Sequence, residues 1–322
     1  VRGFYPLDLG RVISVSFSMY RFGWRTFVGI GLVTAIPVAL ITALTTGLTY
    51  QPLIDWERSV GIGIYPPRAQ TADALAAFPW WAVALNLASS LAVGPISVIG
   101  GAALIDAVVR VFTGERRSIR GSFGRAMRRV RSLIGLYLIV FATLAALPAL
   151  GIALPVIAAL GPRGVAGPIL FLALIAFVVA VVAFIFVIIR LTFATQALMI
   201  ENIGARAAIA RSWRLIAGSM WRVIGYVLVL GLLVAVLGSI LSLIGTIIGF
   251  LVAPPSITTF PVSVTFNPLS LVIQSFVQLL ALAVVSPIAS VGVTLLYFDI
   301  RWRKGEPVPL PGGAESTAPA RI

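Results

Sequence analysis

The stretch ENIGARAAIARSWRLIAGSMWRVIGYVL, residues 201–228, decides how the chain is organised. Ile209, Trp213, Ile216 and Met220 recur at helical spacing on one face, and Arg206, Arg211 and Arg214 are displayed elsewhere. That pattern predicts an amphipathic helix lying at a membrane surface. From Val223 onward the sequence is almost continuously apolar, so the surface helix leads directly into a segment able to cross a bilayer. The same device occurs twice more, as GRVISVSFSMYRFGWRTFVGIGLV at 10–33 and RRSIRGSFGRAMRRVRSLIGLYLI at 116–139. Each basic helix enters an apolar run that carries an early glycine: Gly29, Gly135 and Gly225.

Composition agrees with lipid as the solvent. The chain has 322 residues, 60% hydrophobic and 11% charged, with a mean hydropathy of +1.07. Soluble domains carry roughly 45–50% apolar and about 25% charged residues. The net charge of +14 would suggest nucleic acid in a soluble protein. Here the arginines flank apolar runs, which reads as topology signal and contact with anionic lipid, with no nucleic-acid partner. Cysteine and histidine are both absent, which removes disulfides, thiolate or imidazole metal sites and histidine catalysis. No cofactor or metal is implied. Residues 1–25 hold no continuous apolar core of the kind a cleavable signal peptide needs.

Taken in order, residues 7–25 read as a basic interfacial helix, and 26–50 as the first span, with Pro37 inside it. A hydrophilic loop follows at 51–78, with a helix start at Thr71 and an interfacial Pro79-Trp80-Trp81. The second span, 80–109, is interrupted by Gly94-Pro95 and Gly100-Gly101. The third runs 133–159, with Pro148 and Pro155, and a tight turn at 161–164 leads to the fourth, 168–199. The fifth covers 223–252, an outer loop with two β-prone pieces surrounds Pro261, and the sixth covers 268–299. The expected fold is therefore an all-α integral membrane protein. It has six transmembrane helices in three hairpins, each preceded by a cytoplasmic amphipathic interfacial helix. Residues 1–306 form one polytopic domain, and the Pro/Gly/Ala-rich tail at 307–322 is expected to be disordered.

An even number of spans places both termini on one side. Arg58, Arg68 and Arg163 fall on the other, leaving 21 of the 24 lysines and arginines with the termini. By the positive-inside rule that side is the cytoplasm of a prokaryotic cell, and the chain is a multi-pass protein of its plasma membrane. The ends of spans two and six also align without a gap, GAALIDAVVRVFTGE at 101–115 over GVTLLYFDIRWRKGE at 292–306. Gly101, Leu104, Arg110, Gly114 and Glu115 meet Gly292, Leu295, Arg301, Gly305 and Glu306. Three related units of surface helix plus hairpin account for these matches.

Three stretches resemble a family of bacterial and archaeal membrane proteins named after the membrane domain found beside glycerophosphoryl diester phosphodiesterases. They are PLDLGRVISVSFSMYR at 6–21, MIENIGARAAIARSWRLIAGSMWRVIG at 199–225 and LLYFDIRWRKGEP at 295–307. The signature positions are Glu201, Ser212, Trp213, Asp299, Arg301 and Arg303. The phosphodiesterase domain of that association needs histidines and a barrel. This chain has neither, so the resemblance implies a stand-alone membrane domain without that activity.

Arg190, inside the fourth span, is the leading polar candidate. Aligning Glu201 with Glu115 sets it six residues deeper than Arg110, roughly 9 Å toward the bilayer centre. Such an arginine should be paired or snorkelling, and Asp106 and Asp299 are the available acids. A structural ion pair is one reading and an anion or lipid-phosphate site the other. Gln274 and Gln278 share a face of the sixth span, as interhelical hydrogen bonders or pathway residues. Glu201 suits the positive end of the helix that follows it. Arg116, Arg117, Arg120, Arg125, Arg128, Arg129, Arg131, Arg206, Arg211 and Arg214 are candidates for binding lipid headgroups or a partner.

These residues favour a non-enzymatic scaffold or accessory subunit, with anionic headgroups at the cytoplasmic leaflet and a membrane-protein partner as its contacts. A transporter or lipid-handling permease with an anion site near Arg190 is the alternative. An intramembrane enzyme is the weakest reading: ten acidic residues form no mid-membrane pair, and serine chemistry lacks its usual base. No catalytic residue is assigned.

Overall fold

A computed structural model describes residues 9–60, 76–116, 118–160, 166–259, 262–309 and 315–316. Helix α1 spans Leu9–Val60, α2 Trp80–Thr113, α3 Ile119–Arg128 and α4 Val130–Leu160. Then come α5, Ala166–Leu191, α6, Ala194–Ile200, α7, Ala205–Ile216, and α8, Met220–Val252. A hairpin of β1 (Ser256–Thr259) and β2 (Val262–Thr265) precedes α9, Pro268–Arg303. Strands β3 (Val308–Pro309) and β4 (Glu315–Ser316) close the described chain. Among the described residues five helices are long and apolar enough to cross a membrane, or six if the bent pair α3–α4 counts as one span.

Contacts divide the chain into two compact units. One comprises Val1–Phe22, Gly101–Leu230 and Ser290–Ile322; the other comprises Gly23–Gly100 and Gly231–Ala289. The first has its core on the last turns of α9, where Leu295, Leu296, Tyr297, Phe298 and Ile300 are fully buried. Phe193 meets Tyr297 edge-on at 5.6 Å between ring centroids, and Phe112 meets Phe298 at 5.4 Å. α4 and α5 run along one another, and α7 touches α4, α5 and α6. α5 turns Phe171, Leu174, Phe177, Val178 and Ile185 outward. Only 6% of the α5–α6 apolar window is buried against 56% of that of α9, so α5 is the most exposed of these apolar helices and α9 the most enclosed.

The second unit is held by close backbone approach. A Cβ on Gly31 of α1 would collide with the carbonyl oxygen of Ala283 in α9, and one on Gly249 of α8 would lie 2.8 Å from the Ser270 carbonyl oxygen. At Gly100 of α2 it is the Thr34 side chain of α1 that fills the place a Cβ would take. In lipid, where apolar side chains gain little by leaving solvent, such small residues let helices approach and gain dispersion contact. Gln274 donates to Thr246 between α9 and α8. Arg58 reaches Thr265 of the hairpin, which aligns Ser256 with Thr265 and Thr259 with Val262.

Several expectations change. The interfacial helix at 7–25 is not separate from the first span: α1 runs unbroken from Leu9 to Val60. No proline falls between Arg11 and Ile36 to break it. The helix also takes in residues 51–60, which read as loop. α2 is continuous through Pro95. The fourth span is divided at Thr192–Phe193, between α5 and α6. Residues 308–309 of the tail pair with 315–316. The helix start at Thr71 and the turn at 161–164 lie outside the described residues, as does the remainder of the tail.

Candidate functional site

Two clusters of charge close the helix ends of the first unit, and both are built from the aligned exits 101–115 and 292–306. α2 and α9 end alike. Gly114 and Gly305 adopt φ of +77° and +76°, a left-handed conformation that glycine adopts without strain. The Glu115 amide then donates to the Arg110 carbonyl and the Glu306 amide to the Arg301 carbonyl, at 2.9 and 3.0 Å. In each copy the side chains pair as well, Arg110 Nη1 with Glu115 Oε2 at 2.8 Å and Arg301 Nε with Glu306 Oε2 at 3.2 Å. The sequence match at these ends thus corresponds to a repeated geometry.

A short helix supplies the next partner in each cluster. Arg125 is the seventh residue of α3 and Arg211 the seventh of α7. Arg125 grips both oxygens of Asp106, which also accepts from Ser122 Oγ at 2.8 Å and lies 3.4 Å from Arg110. Arg211 grips two carboxylates. Its Nε donates to both oxygens of Glu201 at 2.9 Å, its Nη1 donates to Glu306 Oε1 at 2.9 Å, and its Nη2 reaches Glu306 Oε2. Tyr297 donates its hydroxyl to Glu201, and Arg301 lies 3.8 Å from the same carboxylate. Two arginines and two glutamates balance.

Burial pushes the Glu306 carboxyl up, but the bonds and charge of Arg211, helped by Arg301, more than reverse this and hold it below its ordinary value. Lys304 Nζ donates to the carbonyls of Arg214 and Ala217 at 2.7 and 3.1 Å, capping α7. Burial pushes its ammonium below the usual lysine range.

Ser212 is fully buried and repairs the break between α5 and α6. Its hydroxyl donates to the Arg190 carbonyl at 2.6 Å and accepts from the Phe193 amide at 3.2 Å. These are two of the backbone groups that the interrupted helix leaves without an internal partner. The Arg190 side chain runs along α7. Its Nη1 donates to the Trp213 carbonyl at 3.1 Å, and its guanidinium lies 5.1 and 5.3 Å from the ring centroids of Phe186 and Trp213.

Arg190 is therefore paired with neither Asp106 nor Asp299. Asp106 is held by α3. Asp299, fully buried, accepts from Arg303 Nε at 2.9 Å and lies 3.4 Å from Arg222. The two α9 glutamines also part company: Gln274 serves Thr246, and Gln278 is exposed. Arg125 and Arg211, grouped with the headgroup-binding arginines, are occupied by internal carboxylates. Glu201 is the C-cap of α6 and a carboxylate hub; Gly204 is the N-cap of α7. Arg116, Arg120, Arg128, Arg131, Arg206 and Arg214 are exposed, Arg129 is half-buried, and Arg117 lies outside the described residues.

Tyr297, Arg222, Lys304 and Glu306 also join these helix ends and are not among the candidates read from the sequence. The alignment of Glu115 with Glu306 was the available signal for the last. Among the described residues no group of three or more carboxylates gathers to hold a metal ion.

The fold and these arginine-closed helix ends define a helical membrane protein, with charge concentrated where helices finish. Residues 23–299 match the family described as Domain of unknown function (DUF7847), and the chain belongs to that family. That match carries no link to glycerophosphoryl diester phosphodiesterases, so the resemblance drawn from the three stretches reaches only to an uncharacterised family. No curated protein and no solved structure matches the chain.

Proposed function

We propose that the chain is a non-enzymatic scaffold or accessory subunit of a prokaryotic plasma membrane, with both termini in the cytoplasm and a basic face for anionic headgroups or a partner. In this reading the helices form three hairpins, and α3, α7 and the first turns of α1 lie at the cytoplasmic leaflet. The observation that carries it is the distribution of charge between the units. Arg11, Arg21 and the arginines at 110–131, 190–222 and 301–303 fall in one unit, whereas Arg25, Arg58 and the β1–β2 hairpin fall in the other. A surface of exposed guanidiniums attracts anionic lipid by about 1 kcal/mol per residue near the membrane.

A permease with an anion site near Arg190 is the second reading. Its supporting observation is the Arg190 Nε, which is buried without a hydrogen-bond partner among the described residues.

One experiment addresses both. The full chain is reconstituted in nanodiscs of mixed anionic and zwitterionic lipid, and the lipid retained with it after detergent extraction is quantified. Enrichment of anionic lipid should fall in the Arg120→Gln/Arg206→Gln/Arg214→Gln variant and persist in Arg190→Leu. No anionic enrichment in the unmodified protein sinks the scaffold reading. Loss confined to Arg190→Leu transfers support to the permease.

A further inference from the structure

The two charge clusters share a plan but differ in what is left over, and the difference defines a site. In the cluster around Arg211 the carboxylates Glu201 and Glu306 neutralise Arg211 and Arg301. In the cluster around Arg125, Asp106 and Glu115 neutralise Arg125 and Arg110 in the same way. Beyond that core the copies diverge. The C-cap of α3 is Arg129, where α7 has Ala217. The second residue of α4 is Arg131, where α8 has Trp221. Arg128 and Arg214 are the shared tenth residues of the two surface helices.

Arg128, Arg129 and Arg131 have no carboxylate partner among the described residues. All three line one open cleft of about 830 Å³, formed where α3 and α4 meet at 71° and where Asn202 follows α6. That volume lies within the range of small-ligand sites, about 300–1,000 Å³. Asp106 also borders the cleft, but Arg125, Arg110 and Ser122 already hold it. Met127, Val130 and Met199 give the same cleft an apolar lining.

We infer that this cleft binds the phosphomonoester headgroup of an anionic lipid. The inference rests on the proposed lipid-binding face and names its site and ligand chemistry. Unpaired guanidiniums suit a group that carries more than one charge and three acceptor oxygens, which a phosphomonoester supplies at about −1.5 to −2 near neutral pH. A phosphodiester offers one charge and two free oxygens. The apolar lining gives the first carbons of the lipid a surface to lie on, and a free phosphate has no use for it.

The test uses the full chain in detergent, titrated by native mass spectrometry with short-chain phosphatidic acid, short-chain phosphatidylglycerol and inorganic phosphate. The unmodified protein should bind the monoester lipid about tenfold or more tightly than the diester, the scale of one charge-assisted hydrogen bond. Inorganic phosphate should bind more weakly than either lipid. Arg129→Gln/Arg131→Gln should bring the two lipids together. Arg131→Lys, which keeps the charge and loses the planar fork, provides the same reading at lower risk to folding and should reduce the ratio in part. Equal affinity for the two lipids in the unmodified protein overturns the inference while leaving a general anionic preference intact. Equal affinity for inorganic phosphate and the monoester overturns the assignment to lipid. An absence of any preference for both lipids over short-chain phosphatidylcholine, titrated alongside, instead removes the proposed lipid-binding face itself.

Discussion

Arg211 shows how one side chain becomes structural when its partners come from distant parts of the chain. It holds Glu201, ten residues away, and Glu306, ninety-five away, with all three side chains largely screened from solvent. Replacing it by methionine leaves two carboxylates facing one another beside Arg301 alone. The expected loss is about 1–3 kcal/mol, below the full penalty for breaking a wholly buried pair because some solvent reaches the site. Glu306 adds a pH signature. Its folded carboxyl lies below its ordinary value of 4.5, so its contribution is complete above that value and is lost as pH falls through the depressed one. Thermal melting of the detergent-solubilised protein between neutral and acid pH should show a steeper acid loss for the unmodified chain than for Glu306→Gln. Identical acid slopes would refute the assignment.

At the scale of elements, packing in the second unit depends on where a helix can come close. Gly31 faces the Ala283 carbonyl oxygen with no room for a Cβ, whereas Gly231 of α8 has nothing within 4 Å of that position. Gly31→Ala should therefore destabilise by about 1–3 kcal/mol through overpacking. Gly231→Ala should be neutral or stabilising by up to about 1 kcal/mol, the helix-propensity difference. Unfolding in mixed micelles separates the two, and equal effects would mean that α1 and α9 do not approach as closely as described. The sequence showed both glycines inside apolar runs and could not rank them, since the neighbour that decides the matter is over two hundred residues away. Helix α7 was legible as a helix for the opposite reason: its periodicity is local, and it begins and ends within the stretch that carries the pattern.

For the whole molecule the proposed topology is open to direct labelling, because the chain has no cysteine of its own. Asp55 and Ala207 are both exposed and are assigned to opposite sides. In intact cells an impermeant maleimide should label Asp55→Cys and spare Ala207→Cys, with the order reversed in everted vesicles. Labelling of both from one side would end the assignment of three crossings between them. The opposite order would invert the orientation.

What the sequence determined by itself was set by local or additive quantities: the membrane class by composition, the long apolar helices by run length, and the matching helix ends at 101–115 and 292–306 by their spacing of glycine and glutamate. The tertiary structure decided the partners of charge. Asp106 and Asp299 were the only acids in sight for Arg190, yet α3, Arg222 and Arg303 take them, and Arg190 settles on a carbonyl and two aromatic rings. An ion pair depends on which helix ends meet, at what rotation and with which competitors present. A one-dimensional pattern carries none of those three quantities.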